Sequence, residues 1–134
     1  MSESVYDADE HYTIKWDLEL DAVVHIWEEF AAGPDFREPL DVLLDAAEEY
    51  NTHKYVVDTR ALKAHNDADK TYLADEWVPK ALDIGLHTAA VVPSQSVIAE
   101  MNAEDISEDV NETDEFTHRL FPSMAEAREW VKRQ

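Results

Sequence analysis

The chain has 134 residues, no cysteine, and 31 Asp and Glu against 11 Lys and Arg, for a formal net charge of -20. This length suits one domain, and 45% hydrophobic residues with four Trp, five Tyr and four Phe supply the apolar surface that offsets the entropy lost on folding. Global disorder, disulfides and thiol chemistry are excluded, and nucleic acid is an unsuitable partner because duplex phosphates repel so acidic a surface.

Acidic residues occur along the whole chain, in helical stretches (Asp41, Asp45, Glu48, Glu49) and in loops (Glu108, Asp109, Glu112, Asp114, Glu115) alike. That spread suits adaptation to molar salt better than a localised tail or calcium loop, because at ~1 M salt the Debye length is about 3 Å and self-repulsion is largely screened. The melting temperature is therefore expected to rise steeply with KCl, and one indifferent to salt would contradict the reading. No apolar run approaches the ~20 residues that span a bilayer, and Met1 to Ser4 lacks the regions of a signal peptide, so a cytoplasmic location is expected.

Residues 1–10 read as a flexible acidic lead-in, and 11–134 as a single domain. From His11 the chain alternates, with Tyr12, Ile14 and Trp16 on one face and His11, Thr13 and Lys15 on the other. A second run, Ala22 to Trp27, follows a short link, and together they predict an antiparallel hairpin. Gly33-Pro34 punctuates the chain. Asp35 with Glu38 three residues later predicts a capping box opening a helix over Phe36 to Tyr50, whose apolar stripe is Phe36, Leu40, Leu43, Leu44 and Ala47.

Tyr55-Val56-Val57 predicts a short strand. Asn66 then caps a second helix carrying Tyr72, Leu73, Trp77, Ala81 and Leu82, with a break at Pro79 and a stop at Gly85. Thr88 to Val92 reads as a strand covered on both faces. Ser94 or Ser96 opens a third helix through Val97, Ile98 and Met101, and Phe116 to Phe121 is the fifth strand. Ser123 with Glu126 makes a second capping box, for a last helix that turns Met124, Ala127, Trp130 and Val131 inward. The order β-β-α-β-α-β-α-β-α implies an α/β fold: a mostly parallel central sheet of about five strands covered by helices.

Three stretches resemble small proteins related to STAS domains, the anti-sigma-factor antagonist fold: Tyr55-Val56-Val57-Asp58-Thr59-Arg60, Asp75 to Ala81 running through Gly85 to Pro93, and Phe121 with Ala125 to Val131. The resemblance spans roughly residues 11 to 132. It implies a STAS-like fold and a regulatory or scaffold role through protein contacts, since STAS relatives bind partner proteins, nucleotides or small apolar ligands. In signalling members a Ser or Thr before the second helix is phosphorylated. The matching stretch here, Ala64 to Asp69, has no Ser, Thr or Gly, and neither Thr59 nor Thr71 lies in such a motif.

Ligand sites in parallel sheets lie beyond the carboxyl ends of strands, which singles out Asp58, Thr59 and Arg60 and, after the next strand, Ser94. The plain alternatives are an Asp58–Arg60 pair and helix capping by Ser94. Trp27 and Trp77 are core residues by default, or else aromatics lining a pocket or a dimer face. The six histidines, His25 among them, show no paired ligand spacing, so no specific metal is expected; His25 reads as a packed or surface residue. With only Gly33 and Gly85, no phosphate-cradling loop is present, and no cofactor or catalytic motif is read. The expectation is a non-enzymatic domain contacting a protein partner, either a different protein or a second copy of itself, with a small-ligand module at the ends of the Asp58 and Val92 strands as the alternative.

Overall fold

A computed structural model describes residues 3–31, 33–61, 67–93 and 116–134. Its six strands are β1 Glu3–Ala8, β2 Tyr12–Asp17, β3 Ala22–Trp27, β4 Lys54–Asp58, β5 Thr88–Val92 and β6 Thr117–Leu120. They form one sheet in chain order. β1, β2 and β3 are antiparallel neighbours, and β3 to β6 run parallel. The expected α/β fold with a mostly parallel sheet is thus present, with one strand more than expected.

The extra strand corrects the reading of residues 1–10 as a flexible lead-in. Glu3–Ala8 pairs along β2, with a register shift between Val5 and Asp7 that breaks the two-residue period and hides the strand from a pattern search. Tyr6, two residues after Ser4 and on the same face, packs on the core side, edge-on to Tyr50 at 6.0 Å between ring centroids. The Tyr12 hydroxyl donates to the Asp7 carboxylate, and Lys15 pairs with Glu3 at 3.4 Å.

Helix α1, Pro34–Tyr50, begins two residues before the expected start. The Asp35 box does not form. Gly33 caps the helix at φ 61, a left-handed value that glycine adopts without strain, and its N–H donates to Asp69 at 3.2 Å. Pro34 at the first helical position has no orphan N–H to satisfy. The second helical segment divides into α2 (Asp67–Tyr72), a π-helical turn (Leu73–Trp77) and α3 (Val78–Asp83). The irregularity lies just ahead of Pro79: the proline offers no N–H to continue the ladder, and the Val78 N–H closes the wider bond to the Leu73 carbonyl. Gly85 ends the segment at φ 85. Helix α4, Met124–Lys132, starts as expected, with Ser123 Oγ accepting from the Glu126 N–H. The expected cap Asn66 and the helix through Val97, Ile98 and Met101 lie outside the described residues.

Strand alternation divides the core in two. Tyr12, Ile14, Val23, Trp27, Tyr55, Val57, Ala89 and Val91 join Phe36, Leu40 and Leu43 of α1 with Tyr72, Trp77 and Ala81. On the other face Ala22, Val24, Val56, Ala90 and Val92 meet Ala127 and Val131 of α4. β4 and β5 are buried at every position, as strands covered on both sides must be.

Polar anchors hold α4 in place. The buried Lys54 Nζ donates to the Val131 carbonyl at 3.0 Å, placing a cation at the negative end of that helix. The fully buried Asp17 accepts from Arg128 at 2.6 Å and from the backbone N–H groups of Glu19 and Leu20. Arg128→Ala leaves a buried carboxylate without its counter-charge and is expected to destabilise the fold by about 3 kcal/mol, read by urea unfolding at fixed KCl. A loss below about 1 kcal/mol would show that water replaces the guanidinium.

Candidate functional site

The parallel strands end together on one side of the sheet, with Ile26, Asp58 and Val92 in register. All three sit on the α4 side, where Asp58 follows Val56 in the alternation. Asp58 is buried at the last position of β4, and the chain turns immediately through Thr59 and Arg60.

That turn closes on itself. Arg60 grips Asp58 with both arms, Nε to Oδ1 at 2.9 Å and Nη2 to Oδ2 at 2.7 Å, and its own backbone N–H adds a 3.0 Å bond to Oδ1. Both the N–H and the Oγ1 of Thr59 donate to the Val92 carbonyl, at 2.9 and 3.0 Å. The Asp58 side chain is 7% exposed and that of Arg60 49%. The hydrogen bond and charge of Asp58 hold the Arg60 guanidinium above its already high ordinary pKa. Three donors from Arg60 already hold this buried carboxylate, and recruiting it as a base or metal ligand would break charge-assisted bonds, so Asp58 is poorly placed for either role. Two of the five guanidinium N–H donors of Arg60 are used on Asp58, and the side chain is half-exposed.

Of the residues singled out from the sequence, the structure thus brings Asp58, Thr59 and Arg60 together as a clasp; Ser94 lies outside the described residues. Trp27 and Trp77 are 2% and 1% exposed, which corrects their alternative placement on an interface. The Trp27 ring stacks on Phe36 at 5.5 Å and lies 4.6 Å from His25. Trp77 donates Nε1–H to the Leu40 carbonyl at 3.0 Å and meets Tyr55 and Phe116 edge-on. Trp27 from the sheet and Trp77 from the helical layer meet the same core between them, where a large ring fills volume that smaller side chains leave empty.

Sequence spacing also missed contacts that only the fold creates. His11 Nε2 lies 3.2 Å from Glu29 and 3.9 Å from Asp35, and Nδ1 is 3.8 Å from Asp9. His53 and His87, at the entrances of β4 and β5, stack at 5.1 Å. Among the described residues, no group of three or more His, Asp or Glu is arranged to hold a metal ion. His25 is fully buried on β3, and neither of its ring nitrogens has a hydrogen-bond partner; desolvation pushes its pKa down to about 3. Its position between Val24 and Ile26 was the available signal, since an alternating strand sends it to the face of Val23 and Trp27.

A second aromatic group lies away from the clasp. Trp16 of β2 stacks face to face on Tyr50, the last residue of α1, at 4.4 Å and 4°, and Tyr6 of β1 closes the group. All three rings are only half-buried. Around them the final turns of α1 carry Asp45, Glu48 and Glu49, all exposed, and no basic residue. Burial and the nearby Glu49 and Asp45 carboxylates raise the Tyr6 phenol above its ordinary pKa.

Scans against protein-family models, curated proteins and solved structures each found no match to this chain. The class the coordinates define is an α/β domain whose antiparallel N-terminal strands lead into a mixed, mostly parallel six-stranded sheet with helices on both faces. No helix among the described residues is long and apolar enough to cross a membrane.

Proposed function

We propose that this chain is a non-enzymatic regulatory or scaffold domain, STAS-like in kind, that acts through protein contacts in a high-salt cytoplasm. The observation that carries the reading is the outer edge of the sheet. β1 has β2 as its one strand neighbour among the described residues, so its far side offers backbone donors and acceptors to another chain. Beside it stand half-buried aromatic rings of the type that anchor interfaces. The rim at the end of β4 supports the same reading from the other direction, because its polar groups are turned on one another.

The alternative, a nucleotide or apolar-ligand module at the ends of β4 and β5, has one observation in its favour: the half-exposed Arg60 guanidinium. A thermal-shift panel of nucleotides and lipids in molar KCl separates the two. No ligand is expected to raise the melting temperature, whereas affinity capture with the tagged chain in the same salt is expected to retain a discrete protein. Arg60→Ala is expected to lower stability by about 1–2 kcal/mol, because Asp58 loses its charge-assisted bonds, and to leave partner capture intact. A ligand-induced rise of several degrees that Arg60→Ala or Asp58→Ala abolishes would establish the ligand module instead.

A further inference from the structure

The β1 edge also indicates the chemistry of what pairs with it. A strand added there alternates its side chains between the two faces of the sheet. On the α1 face those side chains arrive beside Tyr6, Trp16 and Tyr50, with Asp45 and Glu49 on the last turns of the helix that ends at Tyr50. On the α4 face they arrive beside Val5, which is 63% exposed. Aromatic faces bordered by carboxylates attract cations, through the ring quadrupole and through direct pairing. These carboxylates also stand where the carbonyl end of α1 is itself negative, and no described Lys or Arg bridges to them. The α4 face differs: there Glu3 already has Lys15 and Arg128.

We propose that the β1 edge accepts an extended basic segment of a partner protein as an additional strand, its Lys or Arg side chains seated over Tyr6, Trp16 and Tyr50 against Asp45 and Glu49, and its alternate apolar side chains against Val5. A second copy of this chain does not fit the site, because its β1 would bring further carboxylates, Glu3 and Asp7, to an acidic edge. In molar salt only charges in near contact still attract, so the segment is held by close cation–aromatic and ion-pair geometry together with the backbone ladder. The assignment rests on the protein-contact reading and names the partner's chemistry.

The test uses the full chain in KCl from 0.2 M upward, with a short peptide alternating lysine and valine and a counterpart in which glutamate replaces lysine. Two-dimensional NMR follows the indole N–H of Trp16, with the buried Trp27 and Trp77 as internal references. The lysine peptide is expected to bind saturably, to shift Trp16 and leave Trp77 unmoved, and to weaken about tenfold in the double variant Asp45→Asn/Glu49→Gln. That variant removes exposed negative charges from a helix carbonyl end, so it should fold at least as stably as the parent. The control pair Asp83→Asn/Glu129→Gln neutralises two exposed carboxylates elsewhere and is expected to leave affinity within about twofold. Equal weakening by both pairs, equal binding of the glutamate peptide, or an unmoved Trp16 would overturn the assignment. A captured partner that protects amides elsewhere than residues 3–8 from hydrogen exchange would also overturn it, while leaving the protein-contact function standing.

Discussion

Lowering the pH from 7 toward 4 is expected to remove stability that a His25→Leu variant keeps. The buried imidazole has no hydrogen-bond partner, and its folded pKa of about 3 lies well below the ordinary histidine value of 6.5. Below pH 6.5 the unfolded chain binds a proton at this position that the folded chain refuses. This contribution is therefore fully present above pH 6.5 and is lost as pH falls toward 3, at about 1.4 kcal/mol per unit once the unfolded histidine is protonated. Carboxylates titrate in the same range, so the quantity to measure is the difference between parent and variant in urea unfolding at fixed KCl. The two curves should diverge below pH 6.5. At pH 7 the variant is expected to be the more stable by about 1–2 kcal/mol, since leucine brings no unsatisfied nitrogen into the Tyr12 and Trp27 cluster. Parallel curves would mean that the ring is reached by water.

Trp77→Ala should be among the most damaging single substitutions, costing about 3–5 kcal/mol. The ring is 1% exposed, joins the π-helical turn to α1 through the Leu40 carbonyl, and touches Tyr55 of β4 and Phe116 at the entrance of β6. Removing it opens a cavity between three elements that cannot collapse together, because each is fixed elsewhere by sheet or helix bonding. Trp16→Ala is expected to cost about 1 kcal/mol, as its ring is half-buried and packs at the border of the core, stacked on Tyr50. Thermal unfolding in molar KCl checks the pair. Similar losses at both positions would mean that the indoles are equally buried.

The alternation of Tyr12, Ile14 and Trp16, the apolar runs at Tyr55 and Ala89, and the Ser123 cap were legible because each depends on residues within one turn or one strand. β1 was not, since a bulge interrupts its period and only Tyr6 of its side chains reaches inward. The start of α1 was misread for a similar reason. Asp35 with Glu38 has the spacing of a capping box, but Pro34 already has helical geometry and Gly33 supplies the turn, with Asp69 satisfying its N–H from across the chain.

The clasp at the end of β4 was half legible. Asp58 and Arg60 are near neighbours, and their pairing was one of two readings the residues allowed; burial decided it, because a carboxylate withdrawn from water needs a cation. No local pattern could place Tyr50 on Trp16, or Glu29 and Asp35 on His11, since those contacts join residues far apart in the chain. Local chemistry, which depends on side-chain period, turn residues and charge density, was enough to establish an acidic α/β domain with a parallel core. Which strands end the sheet, and which rings and carboxylates meet beside β1, is set by long-range packing, where the free energy comes from burial shared among elements that no sequence window contains.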